Sequence, residues 1–190
     1  MGYTVPAGIS NKHVHVSESD FYKLFGEGAE LTFFKKLSQP GQFASEEKVD
    51  IVGPNGTLKG VRILGPFRKQ TQIELSETDC FTIGEPIDLR ESGKLAGTPG
   101  CKLIGPKGEV ELSEGVMVAL RHVHLSTEQA AEAGVKDGDK VSVHFGGERG
   151  ITFENVLIRA GETHFRDFHM DTDEANAGGI KNGMEGEIIK

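Results

Sequence analysis

Lys12-His13-Val14-His15-Val16-Ser17 and Arg121-His122-Val123-His124-Leu125-Ser126 are one phrase written twice: a base, two histidines spaced i, i+2, and a closing serine. The spacing has a structural consequence, because residues two apart in an extended strand project from the same face. Each phrase therefore presents two imidazoles side by side, an arrangement that a divalent metal can use. A single His-x-His is more often a solvated or hydrogen-bonded pair. Here four of the seven histidines fall in the two phrases, and the duplication points to two metals.

Reading outward, each histidine strand is expected to run into a helix. Ser17 can cap a helix through Phe21, Tyr22, Leu24 and Phe25, with Asp20 at N3, and Ser126 with Gln129 forms a capping box before Ala130 and Ala131. A third start lies at Asp171-Thr172-Asp173-Glu174, whose acids suit the positive end of a helix dipole and follow His169 closely; Gly178-Gly179 would end it quickly.

The remainder is strand-dominated. Short extended segments are expected at Val49–Val52, Thr57–Leu64, Thr71–Leu75, Lys102–Ile104, Val110–Leu112, Val116–Leu120, Lys140–Phe145 and Ile151–Arg159. Gly53-Pro54-Asn55-Gly56 and Gly105-Pro106-Lys107-Gly108 are matching turn sequences that predict hairpins. Sheets this small gain from closure, which removes exposed edges, and the repeated strand-helix phrase argues for two closed β-barrels. Phe33 to Glu47 lacks periodicity and reads as a loop or small insertion.

Length and composition bound the class. A chain of 190 residues with 26 glycines suits one large or two small domains. It contains no apolar run near the roughly 18 residues of a membrane span, and Met1 to Pro6 is not a basic and apolar leader, so a cytoplasmic location is the default expectation. Cys80 and Cys101 lack metal or redox spacing and read as ordinary cysteines. The net charge of -8 argues against nucleic acid as partner while leaving room for a local basic pocket.

Four separated motifs carry a family resemblance. Ser10-Asn11-Lys12-His13-Val14-His15, Gly65-Pro66-Phe67-Arg68-Lys69-Gln70-Thr71-Gln72-Ile73-Glu74, Arg121 to Ser126, and His169-Met170-Asp171-Thr172-Asp173-Glu174-Ala175-Asn176-Ala177 resemble, in order, the motif series of the PduL-type phosphotransacylases, the phosphate propanoyltransferases. The resemblance implies reversible transfer of a short acyl group, propionyl or acetyl, between coenzyme A and inorganic phosphate. It implies a mainly β fold of two barrels with short helices and a two-zinc site between them. Residues 1–11 with 120–190 would form one barrel, and 12–119 the other, including a small insertion near 26–46.

The same resemblance carries the site residues. His13, His15 and Glu74 match the ligands of one zinc, and His122, His124 and His169 those of the other. Read alone, Glu74 would be a solvated strand residue and His169 a hydrogen-bonding histidine at a helix start; His144 and His164 match no motif. Arg68 is the expected catalytic cation, suited to phosphate by its bidentate fork. Lys35, Arg62, Leu64, His169 and Asn176 are the implied coenzyme A contacts.

Three ligands per zinc leave a coordination position open, as in catalytic sites. A thiol pKa of about 8.5 makes the thiolate a tolerable leaving group, which favours direct attack by phosphate over an acyl-enzyme. Imidazole and carboxylate sites also accept cobalt, iron or manganese, and a homodimer is a fair expectation. Members of the family often work in propanediol degradation inside bacterial microcompartments, directed by an N-terminal extension; no such helix precedes His13, so either an extension has been removed or the enzyme is free, and the free enzyme is the expectation. Two rival classes are a metal-dependent thioester hydrolase and a non-catalytic zinc-stabilised barrel.

Overall fold

Alternation settles the two histidine strands: Val14, Val16, Val123 and Leu125 are fully buried in two hydrophobic cores, while the interleaved histidines occupy the opposite faces. The computed structural model describes residues 2–190. The first half of the chain runs β1 (Thr4–Ser10), β2 (His13–Ser17), α1 (Glu18–Phe25), β3 (Phe33–Lys36), β4 (Phe43–Val52), β5 (Thr57–Arg68), β6 (Gln72–Leu75), α2 (Glu77–Ile83) and β7 (Leu89–Arg90). It continues through β8 (Cys101–Ile104), β9 (Glu109–Leu112), β10 (Val116–Ala119), β11 (His122–Leu125), α3 (Thr127–Ala133), β12 (Lys140–Phe145), β13 (Ile151–Ala160), β14 (Asp167–Asp171), α4 (Thr172–Gly178) and β15 (Glu185–Ile189).

These elements form two units. One comprises Met1–Asn11, Ser38–Pro40 and Leu120–Lys190; the other comprises Lys12–Leu37 and Gly41–Ala119. The first is a closed six-stranded barrel in the order β1-β14-β11-β13-β12-β15, closed by the antiparallel pairing of β15 with β1. Its core includes Phe145, Phe153 and Phe168, with the rings of Phe145 and Phe168 stacked at 5.6 Å.

The second unit is a nine-stranded curled sheet ordered β7-β10-β6-β2-β5-β4-β8-β9, with β3 paired to β4. The mainly β architecture with short helices is as expected, but the barrel expected of this half takes the form of an open curl. No ladder joins the end strands β7 and β9 among the described residues. The short end strand β7, of two residues, leaves little edge to protect.

Both expected hairpins form, between β4 and β5 and between β8 and β9. In each, the first glycine N–H donates to the last glycine carbonyl, Gly53 to Gly56 at 3.0 Å and Gly105 to Gly108 at 2.9 Å. Each turn also docks on a helix end: Asn55 N–H donates to the Ile83 carbonyl at 2.9 Å and Lys107 N–H to the Leu24 carbonyl at 3.0 Å. Those bonds satisfy carbonyls that the ends of α2 and α1 would otherwise leave open. A Cβ at Gly105 would lie 2.5 Å from the Leu24 carbonyl oxygen, so close approach requires glycine there.

Two local elements escape the sequence periodicity. The stretch expected as loop holds β3 and the start of β4, paired from Phe33↔Ser45 to Lys36↔Phe43; all four residues of β3 are exposed, so no buried face marks it. Helix α2 begins at Ser76 with a capping box closed by Asp79, an acid in the place usually held by Glu or Gln.

The three expected helix starts are present, capped by Ser17, Ser126 and Asp171. Gln129 N–H donates to Ser126 Oγ at 3.1 Å, and Ser126 N–H to Gln129 Oε1 at 2.9 Å. Ser126→Ala is therefore expected to cost about 1 kcal/mol of stability, read as a lowered denaturation midpoint with an unchanged slope. No helix among the described residues is long and apolar enough to cross a membrane.

Two candidate metal centres

Strand register assembles the first centre. In the antiparallel ladder of β2 with β6, His13 stands opposite Glu74 and His15 opposite Gln72. The i, i+2 spacing puts all four side chains on one face. His13 Nε2 lies 3.5 Å from Glu74 Oε2, His15 Nε2 3.8 Å from Glu74 Oε1, and the two imidazoles meet edge to face at 4.9 Å between centroids. One ligand atom from each of His13, His15 and Glu74 falls within 4.8 Å of the others.

Electrostatics prepare this group for a cation. Burial, reinforced by the neighbouring His13, holds the His15 pKa down at about 3, so its ring is neutral and keeps a lone pair to give. Burial works against the Glu74 charge, yet His13, by charge and hydrogen bond, and then His15 and Ser92 hold its carboxyl well below the usual range. His15 Nδ1 is buried with no hydrogen-bond partner.

A part-buried network fixes the glutamate. Gln72 Nε2 donates to Glu74 Oε1 at 2.5 Å and to Ser92 Oγ at 2.9 Å, Ser92 Oγ donates to the same Glu74 oxygen at 2.9 Å, and Gly93 N–H donates to Gln72 Oε1 at 3.0 Å. With Oε1 taken by two donors, Oε2 is the oxygen turned to His13. Lys12 Nζ, 2.7 Å from Asp79 Oδ1, ties the start of β2 to α2.

The second centre is built by β11 and β14, again antiparallel, with His122 opposite His169 and His124 opposite Asp167. His122 Nδ1 donates to the Leu120 carbonyl at 2.7 Å, which leaves Nε2 as its lone pair. That atom is 3.1 Å from His124 Nε2. Burial first, then the neighbouring histidines 122, 169 and 164, push the His124 pKa down to about 2. The neutral His124 ring thus meets that of His122, and His124 Nδ1 is buried without a partner. Ligand atoms of His122, His124 and His169 fall within 4.8 Å of one another.

Both donor sets fit a borderline divalent metal such as zinc: two imidazoles with a carboxylate in one centre, three imidazoles in the other, each short of four protein ligands. The unpartnered buried nitrogens are what an imidazole cluster shaped for a metal leaves behind.

The other expected site residues fall as follows. Arg68 ends β5 opposite Ser17, half-buried, with its charge among those that depress the His15 pKa. In the parallel ladder of β2 with β5, Arg62 stands beside His13 and Leu64 beside His15. The Arg62 guanidinium donates to the Ser45 carbonyl and lies 4.3 Å over the ring of Phe34. Lys35 is exposed on β3, opposite Ala44. These residues belong to the curled sheet; Asn176, exposed on α4, and His169 on β14 belong to the barrel.

Several neighbours of the centres were missed. Gln72 and Asp167 each precede a candidate ligand by two residues on the same strand, a signal available in the spacing. Ser92 and Ser38 offered none, since both arrive from elsewhere in the chain; Ser38 Oγ is 3.4 Å from His169 Nε2. The ring of His164 lies 4.7 Å from that of His124, while its Nδ1 donates to the Arg159 carbonyl at 3.0 Å. His144 is exposed on β12 and paired with Thr152.

Comparison with known proteins agrees with the motif series. The family model for phosphate propanoyltransferase matches residues 6–181. A phosphate propanoyltransferase of Thermotoga maritima is 50% identical over 177 residues, covering 93% of this chain and 84% of the relative. That of Rhodopseudomonas palustris is 48% identical over 188 residues, covering 99% and 83%, and that of Salmonella typhimurium 48% identical over 179 residues, covering 94% and 85%. With a family match over most of its length and relatives at this identity, the chain belongs to the phosphate propanoyltransferase family.

Proposed function

We propose that this chain is a phosphate acyltransferase that interconverts a short-chain acyl-CoA, propanoyl or acetyl, and phosphate with acyl phosphate and free CoA. Its cofactors are two zinc ions, one held by His13, His15 and Glu74 and the other by His122, His124 and His169. The observation that carries this reading is a cation, Arg68, paired in register with Ser17 at the end of the strand that brings His13 and His15 to a nearly buried His/His/Glu group. A metal staple has no use for that cation, and hydrolysis of a neutral thioester little.

In the forward direction a phosphate oxygen forms a bond to the thioester carbonyl carbon, and the C–S bond breaks with its electron pair on sulfur. Arg68 pairs with two phosphate oxygens and orients the nucleophile, which converts an encounter in solution into a positioned attack. The same guanidinium offsets negative charge as the carbonyl oxygen becomes an oxyanion. Bound metal ions would supply Lewis acidity for phosphate and carbonyl oxygens. His15 and His124, held neutral by burial, keep their lone pairs for ligation and do not serve as proton donors near neutral pH. No general acid is needed for a thiolate, whose conjugate acid has a pKa of about 8.5. Lys35, Arg62, Leu64, His169 and Asn176 are the proposed contacts of coenzyme A.

Thiol release from propionyl-CoA and acetyl-CoA, followed with and without phosphate, tests the assignment. Release is expected only with phosphate, with acyl phosphate formed in equal amount and trapped as the hydroxamate. Equal release without phosphate would identify a thioester hydrolase instead.

A further inference from the structure

The buried carboxylate of Asp167 belongs to no capping box and to neither group of candidate ligands. It lies two residues before His169 on β14, directly across the ladder from His124, and its Oδ2 is 2.8 Å from His169 Nε2. We propose that Asp167 is the positioning residue of the three-histidine centre: it holds the Nε2–H of His169, so that His169 turns Nδ1 to the metal. The inference rests on the metal reading given above and adds to it which nitrogen ligates and what selects it.

The chemistry follows from donors and acceptors. A carboxylate accepts hydrogen bonds and, when ionised, cannot donate, so the imidazole nitrogen facing it carries the proton. The remaining nitrogen, Nδ1, then holds the lone pair. The nearby Ser38 hydroxyl, at 3.4 Å from the same Nε2, is the more distant and weaker acceptor. His122 shows the mirror arrangement: there Nδ1 donates to the Leu120 carbonyl and Nε2 is left for the metal. A second partner on the non-ligating nitrogen fixes the ring and raises the basicity of the other.

A seat for the carboxylate is built into the neighbouring strand. Gly8 of β1 pairs with β14 in the parallel ladder, opposite His169. A Cβ at Gly8 would come within 2.6 Å of Asp167 Oδ1 and 2.8 Å of Oδ2. Gly8 has no positive φ, so its backbone does not call for glycine; the space does. Gly8 thereby offers a way to displace the carboxylate without altering any group of the cluster.

The test uses full-length protein carrying His15→Ala, which leaves the three-histidine centre as the one to titrate. Zinc affinity is measured by competition with a chelator, and nitrogen NMR of the zinc-loaded protein reports which nitrogen of His169 is metal-bound. We expect Nδ1 coordination with a protonated Nε2. Asp167→Asn and Gly8→Ala should each weaken zinc binding about 10- to 100-fold, the range typical of partners that orient a metal ligand. Coordination through Nε2, or an affinity unchanged in both variants, would overturn the role of Asp167. If Asp167→Asn fails to fold, the NMR assignment and Gly8→Ala still decide. A His15→Ala protein with no measurable zinc affinity would instead overturn the metal reading on which the role depends.

Discussion

His124→Ala and His15→Ala are each expected to bind one zinc per chain where the parent binds two, and to bring phosphate-dependent thiol release to background. The reason is ligand number. Each centre gathers three protein donors, and a site that keeps a position open for substrate cannot spare one. Removing His124 also takes away a ring whose Nε2 stands 3.1 Å from that of His122, leaving two histidines where three converged. Because the two sets of ligands lie in separate units, each variant should keep the metal of the other centre, which guards against mistaking unfolding for loss of a ligand. Metal content by elemental analysis, with turnover on the same samples, decides the matter. Full metal and parental turnover in either variant would remove that histidine from its centre.

Arg68→Ala should retain both metals and the parental melting temperature yet lose about 100-fold or more in turnover, the usual consequence of removing one preorganised charge-stabilising donor. Arg68 sits half-buried at the end of β5. Its backbone stands opposite Ser17 at the end of the strand that carries His13 and His15, and its charge is among those that depress the His15 pKa. Arg68→Lys is expected to recover only part of the loss, because an ammonium is a point charge and cannot fork onto two phosphate oxygens. A variant that melted early or lost zinc would mark Arg68 as structural, and unchanged phosphate-dependent turnover would take it out of the mechanism.

What could be read in the chain before folding was whatever depends on neighbours a few residues away. The i, i+2 histidines share a face because a strand alternates, whatever it pairs with. Ser17, Ser126 and Asp171 cap helices because the bond they accept comes from three residues on. Both Gly-Pro-x-Gly turns close hairpins between flanking strands. Glu74 and His169 were legible only through the motif series, since nothing in their own surroundings separates a ligand from a solvated or hydrogen-bonded side chain.

The tertiary structure decided what depends on register between distant segments. The pairing of β2 with β6 sets Glu74 opposite His13, and that of β11 with β14 sets His169 opposite His122. A shift of one residue in either would turn the candidate ligands to opposite faces. Whether a half of the chain closes into a barrel is likewise a property of edge pairing: β15 meets β1 in one unit, while β7 and β9 stay apart in the other. Ser92 on Glu74 and the Gly8 seat beneath the Asp167 carboxylate arise the same way, from contacts between segments that only the completed sheets bring together. Local spacing determined which side of each strand could hold a metal; long-range strand pairing determined which third candidate ligand, and which supporting partners, met it there.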